Sequence, residues 1–187
     1  NTIFLGSSTV GKTCLLGYYL DNKAVGNSLA SIGVEFKCQF YQINGKKVKV
    51  TFTDTAGQER FDAINKNYML HADGIFLVYD ISNRDTFDKV DEWSRAIHEA
   101  TSNIELLLLG NKCDLDDSER VVSYEEGQEK AKELGCEFFE TSAKDGTNVK
   151  EAFERLVNIL ANSTKLKGKE GVGLEEGKGG KKKKKCC

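Results

Sequence analysis

The order of its predicted elements constrains the fold of this chain more than any other feature of the sequence. Short apolar, β-rich runs alternate with runs of helical periodicity along most of the length. The predicted strands are Thr2–Leu5, Gly33–Ile43, Lys47–Asp54, Gly74–Tyr79, Glu105–Gly110 and Glu137–Glu140. The predicted crossover helices are Lys12–Leu20, Arg84–Ala100, Ser123–Leu134 and Val149–Asn162. This alternation predicts an α/β fold, a doubly wound and mostly parallel sheet with helices on both faces.

One strand connection departs from the parallel pattern. Asn44 and Gly45 separate the second and third predicted strands, and an Asn-Gly pair between β-rich runs is a strong signal for a tight hairpin. Those two strands are therefore expected to be antiparallel. The predicted sheet thus has six strands, mostly parallel, with one antiparallel hairpin strand.

Two predicted helices carry further signals. One side of Arg84–Ala100 carries Phe87, Val90, Ile97 and either Asp91 or Ser94. Such a stripe is expected of a helix that lies on a sheet. Ser123, followed three residues later by Glu126, has the pattern of a capping box and predicts a helix start.

Length, hydropathy and charge narrow the class of protein. The 187 residues fit one domain, and no apolar run approaches the roughly 18 residues of a membrane-spanning helix. Nine lysines and three glutamates lie between Lys165 and Lys185, a balance of +6, while the rest of the chain carries −8. An acidic body disfavours duplex nucleic acid as a partner, and a basic tail favours an anionic surface.

Four cysteines are spread through the body of the chain, at Cys14, Cys38, Cys113 and Cys136. None has the CxxC spacing of a metal site. We expect these four to be small buried hydrophobic residues in a reducing compartment.

A phosphate-binding motif lies between the first predicted strand and the first helix. Residues 6–13, GSSTVGKT, match GxxxxGK[ST] in the strand–helix context that this motif requires. Glycines let backbone N–H groups converge on phosphate oxygens, and the helix N-terminus adds positive potential. Lys12 supplies a cation for the β- and γ-phosphates, and the Thr13 hydroxyl suits Mg²⁺. The predicted nucleotide-binding residues of this loop are Ser8, Thr9, Val10, Gly11, Lys12, Thr13 and Cys14. The alternative interpretation is a glycine-containing turn capped by Ser or Thr.

Two later motifs indicate a guanine base. The first, residues 111–114, follows the fifth predicted strand, and the Asp114 carboxylate can accept hydrogen bonds from guanine N1–H and the 2-amino group. Adenine offers no such pair of donors. The second, residues 141–144, follows the last strand, where the Ala143 backbone N–H can meet guanine O6. The predicted base-binding residues are Asn111, Lys112, Asp114, Ser142, Ala143 and Lys144. The first motif taken alone is also a common loop composition.

A third motif, DTAGQ at residues 54–58, ends the third predicted strand. Asp54 suits the role of holding Mg²⁺ through water. Gly57 leaves room for its backbone N–H to approach the γ-phosphate, and Gln58 is suited to orient the attacking water as the catalytic residue. Without the other motifs, this run would also fit a turn after a strand.

These motifs resemble those of the Ras superfamily of small GTPases over nearly all of residues 1–162. Within that superfamily the chain is similar to the Rab proteins. The segments that carry this likeness are Ile32–Phe36 (IGVEF), Arg60–Phe61, Leu77–Ser82 (LVYDIS) and the C-terminal KKKKKCC. The resemblance implies one P-loop GTPase domain over residues 1–162 and a GTP/GDP switch in vesicle traffic.

The resemblance also implies the remaining site residues. Ser31 stands where the family has the Mg²⁺-ligating threonine of the first switch segment, and its hydroxyl is expected to keep that role toward metal and nucleotide. The implied effector surface is Ile32, Gly33, Phe36 and Tyr68. Two positions depart from the family pattern. Ala24 replaces an aromatic residue that stacks on guanine, and Thr53 replaces a tryptophan of the effector patch.

The implied partners of such a switch are regulators, effectors and lipid-attaching enzymes. They comprise an exchange factor, a GTPase-activating protein, effectors, a prenyl transferase with its escort protein, and a GDP-dissociation inhibitor. We expect a slow intrinsic rate, because no arginine lies within Ala24–Ser31 to act in cis. The protein is expected to be a monomer and to bind no nucleic acid.

The last segment, residues 163–187, is predicted to be a disordered basic tail. It is rich in Gly, Lys and Glu without apolar periodicity, so it cannot bury enough surface to fold. Cys186 and Cys187 are the implied prenylation sites, since two lipid chains anchor a protein stably and one does so only marginally. Each lysine near an anionic leaflet strengthens membrane binding by about 1 kcal/mol of binding free energy. The expected location is the cytoplasmic face of intracellular membranes, with a soluble cytosolic pool.

Two other functions stay open on the sequence. A guanine-nucleotide-binding interaction protein with little or no hydrolysis is compatible with the residues at Ala24 and Ser31, whereas Asp54 and Gln58 argue against it. A P-loop kinase or ATPase would leave the 111–114 motif unexplained and would need a lid-type arginine cluster that the sequence lacks.

Overall fold

One six-stranded sheet runs through the part of the chain that the structure describes. A computed structural model describes residues 1–22, 24, 35–54, 62–101 and 104–163. Its six strands are β1 Thr2–Leu5, β2 Glu35–Ile43, β3 Lys46–Asp54, β4 Gly74–Asp80, β5 Glu105–Asn111 and β6 Glu137–Thr141. They lie in the order β2-β3-β1-β4-β5-β6, and every neighbouring pair except β2–β3 is parallel. The predicted six-stranded, mostly parallel sheet is confirmed.

The antiparallel pair turns at Asn44 and Gly45, as predicted. Asn44 has φ 52° and Gly45 has φ 76°, so both residues occupy the left-handed region that a type I′ turn needs. A Cβ at Gly45 would contact nothing within 4 Å, so only the backbone angle favours glycine there. This turn sets the register in which Ile43 pairs with Lys46 and Glu35 with Asp54.

Helices cover both faces of the sheet. They are α1 Lys12–Asp21, α2 Asp62–His71, α3 Arg84–Asp88, α4 Val90–Ala100, α5 Tyr124–Leu134 and α6 Val149–Asn162. Successive strand residues point to opposite faces, so Phe4 packs on the α1–α6 side whereas Ile3 and Leu5 pack on the side of α2 to α5. Burial on both faces explains why the strands read as nearly continuous apolar runs.

The core under α1 and α6 contains a cluster of four phenylalanine rings among aliphatic side chains. The Phe153 ring of α6 lies 4.7 Å from that of Phe76, 5.6 Å from that of Phe4 and 5.5 Å from that of Phe52, measured between centroids. Tyr19 of α1 stacks on the same ring at 4.2 Å. Because Phe153 contacts three strands and α1, it holds α1, the helix that follows the predicted phosphate loop, against the sheet.

Element boundaries agree with the prediction to within one residue for most elements. The predicted start of the second strand, Gly33, lies outside the described residues. Ser123 caps α5, its side chain accepting from the Glu126 N–H at 3.2 Å, and the Glu126 carboxylate accepts from the Ser123 N–H at 2.8 Å. The predicted capping box is therefore present.

The predicted helix Arg84–Ala100 is divided into α3 and α4. Lys89 between them is right-handed with ψ −11°, its N–H still donates to the Asp85 carbonyl at 3.2 Å, and its carbonyl accepts from the Trp93 N–H at 3.1 Å. The two helices therefore follow one another with only this residue between them. Phe87, Val90 and Ile97 are all buried, as the stripe predicts. Of the two alternatives for the fourth stripe position, Ser94 is buried and Asp91 is exposed.

The sequence prediction omitted α2. Its sequence, DAINKNYMLH, has a weak apolar stripe and two asparagines, which are poor helix formers. Met69 is buried in the core between α2 and the sheet. Tertiary packing therefore stabilises a helix that the local helix propensity does not predict.

The expectation that the four body cysteines are buried is wrong. Cys38 is exposed, because it lies on edge strand β2, and Cys14, Cys113 and Cys136 are half-buried. Partial burial raises the pKa of both Cys113 and Cys136 to about 11, so both stay protonated thiols at neutral pH.

No helix among the described residues has the length and apolar character needed to cross a membrane.

We predict that Gly127→Ala destabilises the protein although alanine is the better helix former. A Cβ at this buried position of α5 would lie 2.4 Å from Phe138 Cζ and 2.5 Å from the Tyr79 hydroxyl, both parts of rigid rings. The gain in helix propensity is about 1 kcal/mol, and contacts this short to rigid rings place the overpacking cost near the upper end of its range, about 3 kcal/mol. The free energy of unfolding should therefore fall by about 2 kcal/mol. Denaturant unfolding measures it. Glu129→Ala, at an exposed position of the same helix, is the control and should change stability by less than about 0.5 kcal/mol. An unchanged or higher stability of Gly127→Ala would contradict the packing argument.

Candidate functional site

The predicted site residues that the structure describes lie along one edge of the sheet. Five neighbouring strands are parallel, so their carboxyl ends meet at that edge, where ligands of open α/β sheets bind. The residues at or just after these ends are Gly6 (β1), Asp54 (β3), Asp80 (β4), Asn111 (β5) and Thr141 (β6). The described residues of all the predicted motifs therefore lie at the carboxyl edge of the sheet.

Two glycines allow the backbone of the loop after β1 to lie close to β4 and to the end of β5. A Cβ at Gly6 (φ 139°) would lie 2.1 Å from the Val78 carbonyl oxygen, and one at Gly11 (φ 99°) would lie 2.3 Å from Asn111 Nδ2. Val10 is buried, while Ser8 and Thr9 are exposed at the tip of the loop. The loop therefore presents backbone rather than bulky side chains, the arrangement of a phosphate cradle.

The Lys12 ammonium lies within this loop. Only 5% of the residue is exposed, and Nζ donates to the carbonyl oxygens of Gly6 at 2.9 Å and Ser7 at 2.7 Å. Burial lowers its pKa to about 8, and the nearby Asp54 carboxylate partly opposes this shift. An anionic group beside Nζ would favour the charged form, so the position suits a polyphosphate.

A second buried polar atom supports this fit. The Ser7 hydroxyl has no hydrogen-bond partner within the part of the chain that the structure describes. Buried polar groups are almost always hydrogen-bonded, so an orphaned hydroxyl inside the loop is consistent with a polar ligand there.

Two side-chain oxygens suited to bind a hard cation lie side by side, one from the start of α1 and one from the end of β3. Thr13 Oγ1 donates to Asp54 Oδ2 at 2.6 Å, and Asp54 is 1% exposed at the end of β3. Hydroxyl and carboxylate oxygens are the kind of donors that Mg²⁺ prefers. Cys14, the next residue of α1, is half-buried.

Asn111 joins three segments of the site. Its side chain is 1% exposed, Nδ2 donates to the Val10 carbonyl at 2.7 Å, and Oδ1 accepts from Thr141 Oγ1 at 3.3 Å. One buried amide therefore ties the phosphate loop to the ends of β5 and β6.

The Asp114 carboxylate is held by the loop after β6. Its Oδ1 accepts from Ser142 Oγ at 2.7 Å, and the exposed Lys144 places Nζ 3.2 Å from Oδ2. Ser142 is fully buried, and its Oγ also accepts from the Lys144 N–H. The half-buried Ala143 lies between them. The two motifs assigned to the base are therefore in direct contact.

Sequence reasoning missed a partner of Lys112. The Asp80 carboxylate, nearly buried at the end of β4, lies 2.5 Å from Lys112 Nζ and accepts from the Ser82 N–H and hydroxyl at 2.9 and 2.7 Å. Lys112 has φ 72°, a conformation that non-glycine residues rarely adopt. An acidic residue that ends the apolar run GIFLVYD is the sequence signal for this contact.

Several predicted residues lie outside the described part of the chain. They are Ser31, Ile32, Gly33, Gly57, Gln58, Cys186 and Cys187. The other two effector residues are in contact: the rings of Phe36 on β2 and Tyr68 on α2 lie 6.1 Å apart, and Phe36 is 57% exposed. Thr53 pairs with Phe36 across β2 and β3 and is buried, while Ala24 is exposed.

Comparison with known proteins agrees with this geometry. Residues 1–162 match the family model described as the Ras family. The protein is 42% identical to Ras-related protein Rab-10 of Diplobatis ommata over 99% of this chain and 94% of that protein. It is 44% identical to Ras-related protein Rab-8B of Pongo abelii, over 95% of this chain and 85% of that protein. It is also 44% identical to Ras-related protein Rab-3C of Bos taurus, over 86% of this chain and 70% of that protein.

The chain therefore belongs to the Ras family of small GTPases and, within that family, to the Rab proteins. It is a GTP-hydrolysing switch that binds guanine nucleotides and acts in intracellular membrane trafficking. This membership favours the switch over the interaction protein without hydrolysis that the sequence left open.

We predict that Asn111→Asp weakens both folding and nucleotide retention. A carboxylate cannot donate to the Val10 carbonyl, so the buried change places two acceptors against each other. The free energy of unfolding should fall by about 2–4 kcal/mol, and GDP should be released faster. Denaturant unfolding and the release of a fluorescent GDP analogue measure the two effects. Asn83→Asp makes the same chemical change at a helix N-cap, where Asp serves as well as Asn, and should be neutral. Equal behaviour of the two variants would contradict the bridging role of Asn111.

Proposed function

We propose that the residues gathered at the carboxyl edge of the sheet bind Mg²⁺ and GTP in one site. One observation carries this proposal: three direct hydrogen bonds join motifs that are far apart in sequence. They are Thr13 to Asp54, Asn111 to Val10, and Ser142 to Asp114. A single ligand that spans these contacts would have its phosphates beside hydrogen-bond donors of the protein at one end. Its base would lie beside hydrogen-bond acceptors of the protein at the other end.

The phosphate end is formed by the backbone of residues 8–14 and by Lys12. The Lys12 ammonium neutralises charge on the β- and γ-phosphates from within the loop. Thr13, Asp54 and Ser31 are the residues that would hold Mg²⁺. Bound there, the ion would neutralise phosphate charge during hydrolysis.

The base end is formed by Asn111, Lys112 and Asp114 with Ser142, Ala143 and Lys144. The Asp114 carboxylate accepts from guanine N1–H and the 2-amino group, and the Ala143 backbone N–H donates to O6. Ser142 orients the carboxylate through the 2.7 Å hydrogen bond. Adenine has no such pair of donors, so the carboxylate would receive neither hydrogen bond from the base, which is the source of base specificity.

Hydrolysis is assigned to Gln58, with Gly57 contacting the γ-phosphate through its backbone N–H. Gln58 orients a water whose oxygen attacks the γ-phosphorus. The bond from that phosphorus to the bridging oxygen breaks, giving GDP, inorganic phosphate and a proton. A GTPase-activating partner supplies the positive charge that accelerates the step, and an exchange factor replaces GDP.

Membrane attachment is assigned to the tail, residues 163–187. Prenyl transferase with its escort protein modifies Cys186 and Cys187, and the lysines before them bind the anionic cytoplasmic leaflet. A GDP-dissociation inhibitor maintains a cytosolic pool. Effectors bind the surface of Ile32, Gly33, Phe36 and Tyr68, of which the Phe36–Tyr68 contact is the described part.

We predict that Asp114→Asn moves base preference from guanine to xanthine. The amide donates where the carboxylate accepts, so it loses the guanine donors and matches the 2-keto oxygen of xanthine. GDP affinity should fall at least about 100-fold and XDP affinity should rise, as measured by calorimetry. Asp117→Asn, an exposed change in the same loop, should leave both affinities unchanged. If Asp114→Asn keeps its preference for GDP, the assignment of Asp114 is wrong.

We predict that Gln58→Leu retains GTP but slows hydrolysis at least about tenfold, because leucine cannot orient the water. Single-turnover release of phosphate, with and without a cell extract containing activators, measures this. Gln128→Leu on α5 is the matched control and should hydrolyse like the wild type. Equal rates in the wild type and Gln58→Leu would assign catalysis to another residue.

A further inference from the structure

An arginine and a glutamate join the two segments that carry the base-binding motifs. Arg120 Nη1 and Nη2 donate to Glu140 Oε1 and Oε2 at 2.6 and 2.9 Å, a bidentate pair that we name the Arg120–Glu140 clasp. The side chains are 24% and 12% exposed. Arg120 Nη1 also donates to the Val122 carbonyl at 3.1 Å. Shielding and bidentate geometry make such a pair stronger than an exposed ion pair.

Arg120 and Glu140 each lie a few residues from a predicted base-binding residue. Arg120 lies in the connection between β5 and α5, six residues after Asp114. Glu140 is in β6, two residues before Ser142. The clasp therefore joins the connection that bears Asp114 to the strand that leads directly into Ser142.

The end of β6 is held by neutral contacts as well. The Cys113 N–H donates to the Thr141 carbonyl at 3.1 Å, and Asn148 Nδ2 donates to the Glu140 carbonyl at 2.8 Å. These bonds fix the backbone, whereas the clasp fixes the Glu140 side chain against the opposite loop. A shift between the two segments would lengthen the 2.7 Å bond from Ser142 Oγ to the Asp114 carboxylate.

We propose that the Arg120–Glu140 clasp is a positioning pair that sets how strictly the site reads the guanine 2-amino group. It keeps Ser142 in reach of Asp114, so the carboxylate stays oriented toward the base. This inference rests on the proposed role of Asp114 in base recognition. In this proposal the clasp acts through Ser142 and not through a contact of its own with the base.

The same strand supplies a matched control. At the opposite end of β6, Glu137 pairs with Arg155 of α6, Arg155 Nε donating to Oε2 at 2.7 Å. This is also a bidentate arginine–glutamate pair, but both side chains are about half exposed and it lies away from the base-binding loops. Breaking it tests the loss of an ion pair on β6 without disturbing Ser142.

The test compares release of fluorescent GDP and of fluorescent IDP, which lacks the 2-amino group. The variants are Arg120→Gln, Glu140→Gln, the exchanged double variant Arg120→Glu with Glu140→Arg, and Arg155→Gln. Wild type should release IDP faster than GDP. We expect Arg120→Gln and Glu140→Gln to reduce that ratio of rates about fivefold. The exchanged variant should recover part of the ratio, and Arg155→Gln should retain the wild-type value.

Each other outcome is decisive. If both nucleotides leave faster with an unchanged ratio, the clasp is structural only and the inference is overturned. An equal effect of Arg155→Gln overturns it as well. If Arg120→Gln does not fold in a thermal melt, Arg120→Lys, which keeps the charge but loses bidentate geometry, is judged by the same ratio. If the wild type does not distinguish GDP from IDP, the proposed role of Asp114 fails instead.

Discussion

The buried Asn111 amide is the contact on which the site depends. It donates to the Val10 carbonyl and accepts from the Thr141 hydroxyl, so one side chain links the loop after β1 to the ends of β5 and β6, where the base is proposed to bind. Gly11 is part of the same constraint, because any side chain there would collide with this amide. A nucleotide of fixed length needs its two ends recognised at a fixed separation, and a buried amide with both functions satisfied provides that rigidity.

The charge in the loop after β1 disfavours stability, as is expected where a polyphosphate is proposed to bind. The Lys12 ammonium is buried on carbonyl oxygens, and its pKa is lowered to about 8, the sign of an environment that disfavours a cation. The aromatic packing around Phe153 holds α1 in place while its first turn carries this unfavourable charge. Core packing and site electrostatics are thus divided between the two ends of the same helix.

Much of this organisation could be read from local sequence patterns. Alternation of apolar runs predicted the parallel sheet, and the Asn44–Gly45 turn predicted its one antiparallel pair. Short-range signals failed where long-range packing decides. Helix α2 has little propensity of its own and is held by Met69 in the core, and Cys38 is exposed because β2 happens to be an edge strand. The Asp80–Lys112 pair joins residues 32 positions apart. The acidic residue that ends the apolar run of β4 is visible in the sequence, but its partner is decided only by the pairing of β4 with β5.

The sequence by itself determined which chemical groups are available: the glycines and lysine of the phosphate loop, the carboxylates at the strand ends, and the cysteines of the tail. These follow from residue type and short spacing, which are properties of the unfolded chain as much as of the folded one. Only the tertiary structure decided which groups touch. Strand order β3-β1-β4-β5-β6 brings Thr13 to Asp54 and Ser142 to Asp114, because parallel strands align their carboxyl ends regardless of their distance along the chain.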